Sequence, residues 1–93
     1  MKESEVKSLY QKWSDDNNGQ KPNRAVVKMA WEDGDNTEKG WQEDVVALEG
    51  LEETDDDRIL FYASGLKGLL ELMKPDNGSD FIVLEVVEFY YQQ

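Results

Sequence analysis

"RILFYASGLKGLLELMKPDNGSDFIVLEVVEFYY", Arg58 to Tyr91, changes its hydrophobic period twice, and those two changes set the fold class. Arg58 to Ala63 is a short apolar run of β-forming residues, which reads as a compact buried strand. Leu66, Leu69, Leu70 and Met73 then recur at i, i+3, i+4 and i+7, the stripe of an amphipathic helix. Ser64 stands at the position of an N-cap, and Pro75 stops the helix. After the turn residues "PDNGSD" comes "FIVLEVVEFYY", the longest strand in the sequence. Its apolar residues fall at odd and even positions alike, as expected of a central strand or one covered on both faces. A strand–helix–strand unit of this kind is compatible with a right-handed parallel crossover.

Toward the N-terminus, "RAVVKMAWE" (Arg24 to Glu32) places Val27, Met29 and Trp31 on one face of a strand, with Val26, Lys28 and Ala30 on the other. "DGDNTEKG" follows as a loop. Trp41, Val45 and Leu48 in "WQEDVVALEGL" would suit a helix, but the alternation of the segment favours a strand at roughly 43 to 49, hairpinned to the one before. Ser4 to Trp13 carries Val6, Leu9, Tyr10 and Trp13 on one helical stripe, with Ser4 as the expected N-cap. "DDNNGQKPN" supplies the stop.

The element order is therefore α-β-β-β-α-β. It predicts a two-layer α+β fold, a four-stranded mixed or antiparallel sheet with two helices, in a single small acidic domain spanning residues 1–93. Helices on one face leave the other face to hide side chains such as Phe81, Val83 and Val87, or their alternates. Self-association as a homodimer, or a partner protein, would do this.

Composition narrows the function classes. The chain has no cysteine and no histidine, so disulfides, thiolate metal sites, cysteine nucleophiles and histidine general bases are all excluded. No catalytic residue, metal ligand or cofactor is assigned, and the expectation is a protein that is not an enzyme. No apolar stretch suits a secretory signal or a membrane span, the longest run being Ile59 to Ala63, and a soluble cytoplasmic protein is expected.

The formal charge of -11 is unevenly placed. Residues 31 to 57 hold twelve acids and Lys39 as their one base, while the flanking segments nearly balance. Such a surface repels nucleic acid and anionic membranes, and its complement is a basic protein.

Each candidate motif has an ordinary structural explanation beside it. The block "EETDDD", just before the "ILFYA" strand, is accounted for as a solubilising surface and a guard against aggregation. It also has a sharper explanation. Carboxylates on one face of a strand stand about 6.8 Å apart at a rise of ~3.4 Å per residue, a spacing that a phosphate-binding groove accepts. Glu43, Asp44, Glu49, Glu52, Glu53, Asp55, Asp56 and Asp57 are the residues that would form such a nucleic-acid mimic.

"DGDNTE" offers Asp33, Asp35, Asn36 and Glu38 to a hard cation, yet Glu38 stands where a calcium-binding EF-hand loop needs glycine. "SDDNNG", from Ser14, fails the same pattern at its first and twelfth positions. Both read as turns. Ser64 before Gly65 has the outline of a nucleophile elbow but no histidine to activate it, so a helix cap is its reading. Gly65 and Gly68 match no phosphate-binding fingerprint. The aromatic tail Phe89 to Tyr91 reads as packing and not as a base-stacking platform.

The expected function is a non-enzymatic protein-binding module. Its acidic surface would engage a basic partner, itself a nucleic-acid-binding protein in the mimic or inhibitor version, with no direct contact to nucleic acid or membrane. The alternative is a structural or regulatory domain that associates through an apolar sheet face, its acid serving solubility.

Overall fold

A computed structural model describes residues 1–31, 42–49 and 59–93. The chain runs α1 (Glu3–Asp16), β1 (Arg24–Trp31), β2 (Gln42–Ala47), β3 (Ile59–Tyr62), α2 (Gly65–Glu71) and β4 (Phe81–Tyr90). This is the expected order. The four strands form one mixed sheet in the order β3-β2-β1-β4, with β1 antiparallel to both β2 and β4, and β2 parallel to β3.

Both helices lie on one face of the sheet, which makes the fold two-layered. Val6 from α1 and Leu69 and Leu70 from α2 share a core with Ala25, Val27 and Met29 of β1, Val46 of β2, and Val83, Val86 and Phe89 of β4. Leu9, Tyr10 and Trp13 extend the predicted stripe of α1 onto that core, and Tyr10 meets Phe89 edge to face with ring centroids 5.3 Å apart. Among the described residues Met29, Leu69, Val6, Val27, Val46, Val83 and Val86 lie behind less than 2% exposure, and this burial is the main term holding the layers together.

The helix ends differ from expectation in detail. Lys2, not Ser4, is the N-cap of α1, and its backbone N–H donates to the Glu5 carboxylate at 3.4 Å. That is one half of a capping box; a lysine side chain carries no acceptor to make the other half. At the far end Asn18 adopts φ 59, and the Gly19 N–H donates to the Ser14 carbonyl at 2.8 Å. This six-to-one bond with a left-handed residue before it closes the helix as a Schellman motif, so "SDDNNG" is used up as a helix stop. Ser64 does occupy the N-cap position of α2, but its hydroxyl makes no capping hydrogen bond.

The largest correction concerns β4. It is an edge strand, not a central one. β3 and β4 run parallel at opposite edges, so α2 carries the chain back across β2 and β1. β4 is also ten residues long against the eight of β1, and the excess is absorbed by two register shifts. Lys28 pairs with Glu85 while Met29 pairs with Val83, so Leu84 is extra; Val26 pairs with Glu88 while Val27 pairs with Val86, so Val87 is extra. These are β-bulges, which increase local twist and bend a strand. Apolar residues at both odd and even positions thus reflect bulging at an edge, not coverage on both faces. The sheet is coiled around its core accordingly: Phe61 of β3 and Phe81 of β4, on opposite edges, have ring centroids 4.5 Å apart.

An exposed edge invites pairing with other chains, and β4 is partly closed off. The Val83 N–H donates to the Leu72 carbonyl at the end of α2, and the Val86 N–H lies 3.4 Å from the Met1 sulfur. Asn77 holds the preceding turn by donating to the carbonyls of Leu72 and Phe81.

At the other end of the sheet Asn23 acts as a clamp. Its side chain donates to the Gln92 carbonyl and accepts from the Gln92 N–H, both at 2.8 Å, while its own carbonyl accepts from the Leu48 N–H at 2.9 Å. One buried residue therefore ties the ends of β4 and β2 to the start of β1. Replacing Asn23 with Ala removes both side-chain bonds and strands the Gln92 backbone groups. Denaturant unfolding should show a loss of about 1–3 kcal/mol; an unchanged midpoint would show that the clamp contributes nothing.

Candidate binding surface

The two bulges decide what the other face of the sheet presents. In a regular strand every second side chain points away from the core. Each bulge in β4 sets two residues against one on β1, so that the repeat becomes one in and two out. Val83, Val86 and Phe89 point inward and are buried, whereas Leu84, Glu85, Val87 and Glu88 are exposed. The expectation that Val83 and Val87 share a face is corrected by the same fact.

On β1 and β2 the outer positions follow from the register. One rung runs Glu43, Lys28, Glu85, with Leu84 beside it, and Lys28 Nζ stands 3.6 Å from a Glu85 carboxylate oxygen. The next rung outward runs Val45, Val26, Glu88, with Val87 beside it. Between β1 and β2 lies a depression of about 220 Å³ lined by Val26, Glu43, Asp44 and Val45. The result is an apolar strip of Val26, Val45, Leu84 and Val87 with Glu43, Glu85 and Glu88 around it and Lys28 between Glu43 and Glu85. Neither α1 nor α2 lies on this face.

Of the predicted acidic residues, the described region contains three, and it does not gather them. Glu43 is exposed on the outer face, opposite Lys28. Asp44 is half-buried at the inner-face position opposite Val27, where its carboxylate accepts the Val45 N–H at 2.8 Å. Glu49 lies beyond the far end of β2, beside α1. Glu52, Glu53, Asp55, Asp56 and Asp57 fall outside the described residues, as does the "DGDNTE" segment. Glu85 and Glu88 are the surface acids that sequence reasoning missed, because a two-residue alternation puts them on opposite faces and only the bulges bring them to one.

Glu49 lines a hollow of about 360 Å³ with Tyr10, Lys21, Pro22, Leu48, Gly65 and Leu66. Burial raises the pKa of the Tyr10 phenol, and the negative charge of Glu49 adds to the rise. The glycines of this corner have structural roles. Gly65 adopts φ +73, which a residue with a side chain rarely takes, and a Cβ on Gly68 would meet the Ser64 hydroxyl at 2.9 Å and Ala63 backbone at 3.3 Å. Gly65 makes the strand-to-helix turn, and Gly68 lets α2 sit close on the Ala63–Ser64 link that precedes it. Among the described residues no group of three or more acids is placed to hold a metal ion, and no helix is long and apolar enough to cross a membrane.

The Tyr10 shift has a testable sign. A phenol whose pKa is higher in the folded state retains its proton longer there than in the unfolded chain, so stability falls as pH rises past the ordinary value of 10. Urea unfolding from pH 9 to 11 should show a decline that is shallower in Tyr10→Phe, and equal slopes would remove the coupling. Compared with known proteins, the chain matches no family model, no curated protein and no solved structure.

Proposed function

We propose that this protein is a non-enzymatic binding module whose acidic surface engages a positively charged partner protein. The observation that carries the reading is the charge distribution. Twelve acids against one base within residues 31 to 57 account for the net charge of -11. A field of that sign steers basic partners toward the molecule and turns nucleic acid away. In the narrower form the partner is itself a nucleic-acid-binding protein, and Glu43, Glu49, Glu52, Glu53 and Asp55 to Asp57 stand in for phosphates as a mimic or inhibitor would. Asp44, at the inner-face position opposite Val27 with its carboxylate engaged by the Val45 N–H, contributes least to that form. A cytoplasmic location belongs to the same proposal.

A second reading rests on Leu84 and Val87, which are 41% and 40% exposed on a sheet face that neither helix covers. An apolar contact there, with the acid serving solubility, would be a structural or regulatory association.

Salt separates the two, because the screening length falls from about 10 Å at 0.1 M to about 3 Å at 1 M. The immobilised protein and its Asp55→Lys, Asp56→Lys, Asp57→Lys variant, both confirmed folded by circular dichroism, are used to capture partners from lysate at low and high salt. The first reading expects a basic protein held by the natural form at low salt, released at high salt, and bound at least about tenfold more weakly by the variant. The same partner retained by both forms at both salts would assign the acid to solubility.

A further inference from the structure

We propose that the outer face of the sheet is the docking surface, and that it takes a partner segment presenting an apolar anchor flanked by lysine or arginine. The inference rests on the acidic-recognition reading and locates the contact. Its basis is the pairing of chemistries that the bulges create: Leu84 with Glu85 and Val87 with Glu88, two apolar–acidic pairs side by side on an exposed strand surface. A regular β4 would bury one member of each pair.

The face has the parts of a recognition patch. The depression of about 220 Å³ has Val26 and Val45 in its wall and is large enough for one aliphatic side chain as an anchor. Leu84 and Val87 widen the apolar contact. Glu43 and Glu88 stand on either side of the strip, and neither makes an ion pair among the described residues. They are the acceptors for flanking cations, while the carboxylate of Glu85 is engaged by Lys28 at 3.6 Å.

Charge also selects the occupant. A second copy of this chain would carry the same net charge of -11 and would set Glu43, Glu85 and Glu88 against the like acids of its partner. A cationic segment relieves that repulsion and fills the strip at once.

The test uses defined probes: a synthetic amphipathic peptide of Leu and Lys, a counterpart with Glu for Lys, and a counterpart with Ser for Leu. Backbone amide shifts of the natural protein map where each binds. The expected result is that only the Leu–Lys peptide shifts Val26, Val45, Leu84 and Val87. Leu84→Ser with Val87→Ser, both at exposed positions, should weaken it about tenfold, and Glu43→Lys with Glu88→Lys by at least as much. Binding that survives Leu84→Ser with Val87→Ser, and is lost in the Asp55→Lys, Asp56→Lys, Asp57→Lys variant, would overturn this surface and leave the acidic-recognition reading in place. No binding of either Lys-containing peptide would overturn both. A concentration-dependent dimer in sedimentation equilibrium, abolished by Leu84→Ser with Val87→Ser, would overturn the proposal in favour of self-association.

Discussion

The pairing of β4 with β1 is the constraint on which the rest of this structure depends. A ten-residue strand laid against an eight-residue one must shed two residues, and it does so at Leu84 and Val87. The register is held at both ends. Asn23 joins the end of β4 to the start of β1, and the end of α2 takes the Val83 N–H. With the ends fixed, the extra length bulges outward, and the core receives every third side chain of β4 instead of every second. The coiling that lets Phe61 and Phe81 touch across the inner face follows from the same local twist.

One consequence is a division of labour between the faces. The inner face is closed by both helices around Val27, Met29, Leu69 and Val86, and the aromatic side chains of α1 seal its margin. The outer face keeps aliphatic groups in contact with water while surrounding them with carboxylates. Exposed apolar side chains next to acids remain soluble and resist strand-to-strand association, which serves an edge strand well. Under the proposed reading the same chemistry would suit a cationic partner, because like charge disfavours a second copy and opposite charge is attracted.

Much of the fold was legible in the sequence because hydrophobic period reports local geometry. Val6, Leu9, Tyr10 and Trp13 identify one helix, and Leu66, Leu69, Leu70 and Met73 the other. The alternation of Val26 to Ala30 assigns both faces of β1, and "DDNNG" reads as a stop because Asn and Gly tolerate left-handed backbone. The edge position of β4 was not legible. "FIVLEVVEFYY" has the same composition whether it is buried on both faces or bulged twice at an edge, and only its partner's length distinguishes the two. For that reason the sequence does not show Glu85 and Glu88 as neighbours, and Glu43 and Asp44, adjacent in sequence, are sent by a strand to opposite faces. The structural reasons for the glycines at 65 and 68, a positive φ and a close approach to Ala63, are visible only in three dimensions.

The absence of native cysteine allows the central feature to be measured directly. Single cysteines introduced in turn at positions 83 to 89 can be timed against a water-soluble thiol reagent, since a cysteine is small and tolerated in a core. Two bulges predict fast reaction at 84, 85, 87 and 88, and slow reaction at 83, 86 and 89. A two-residue alternation, with 86 as reactive as 84 and 88, would contradict the bulged pairing and with it the outward apolar–acidic pairs.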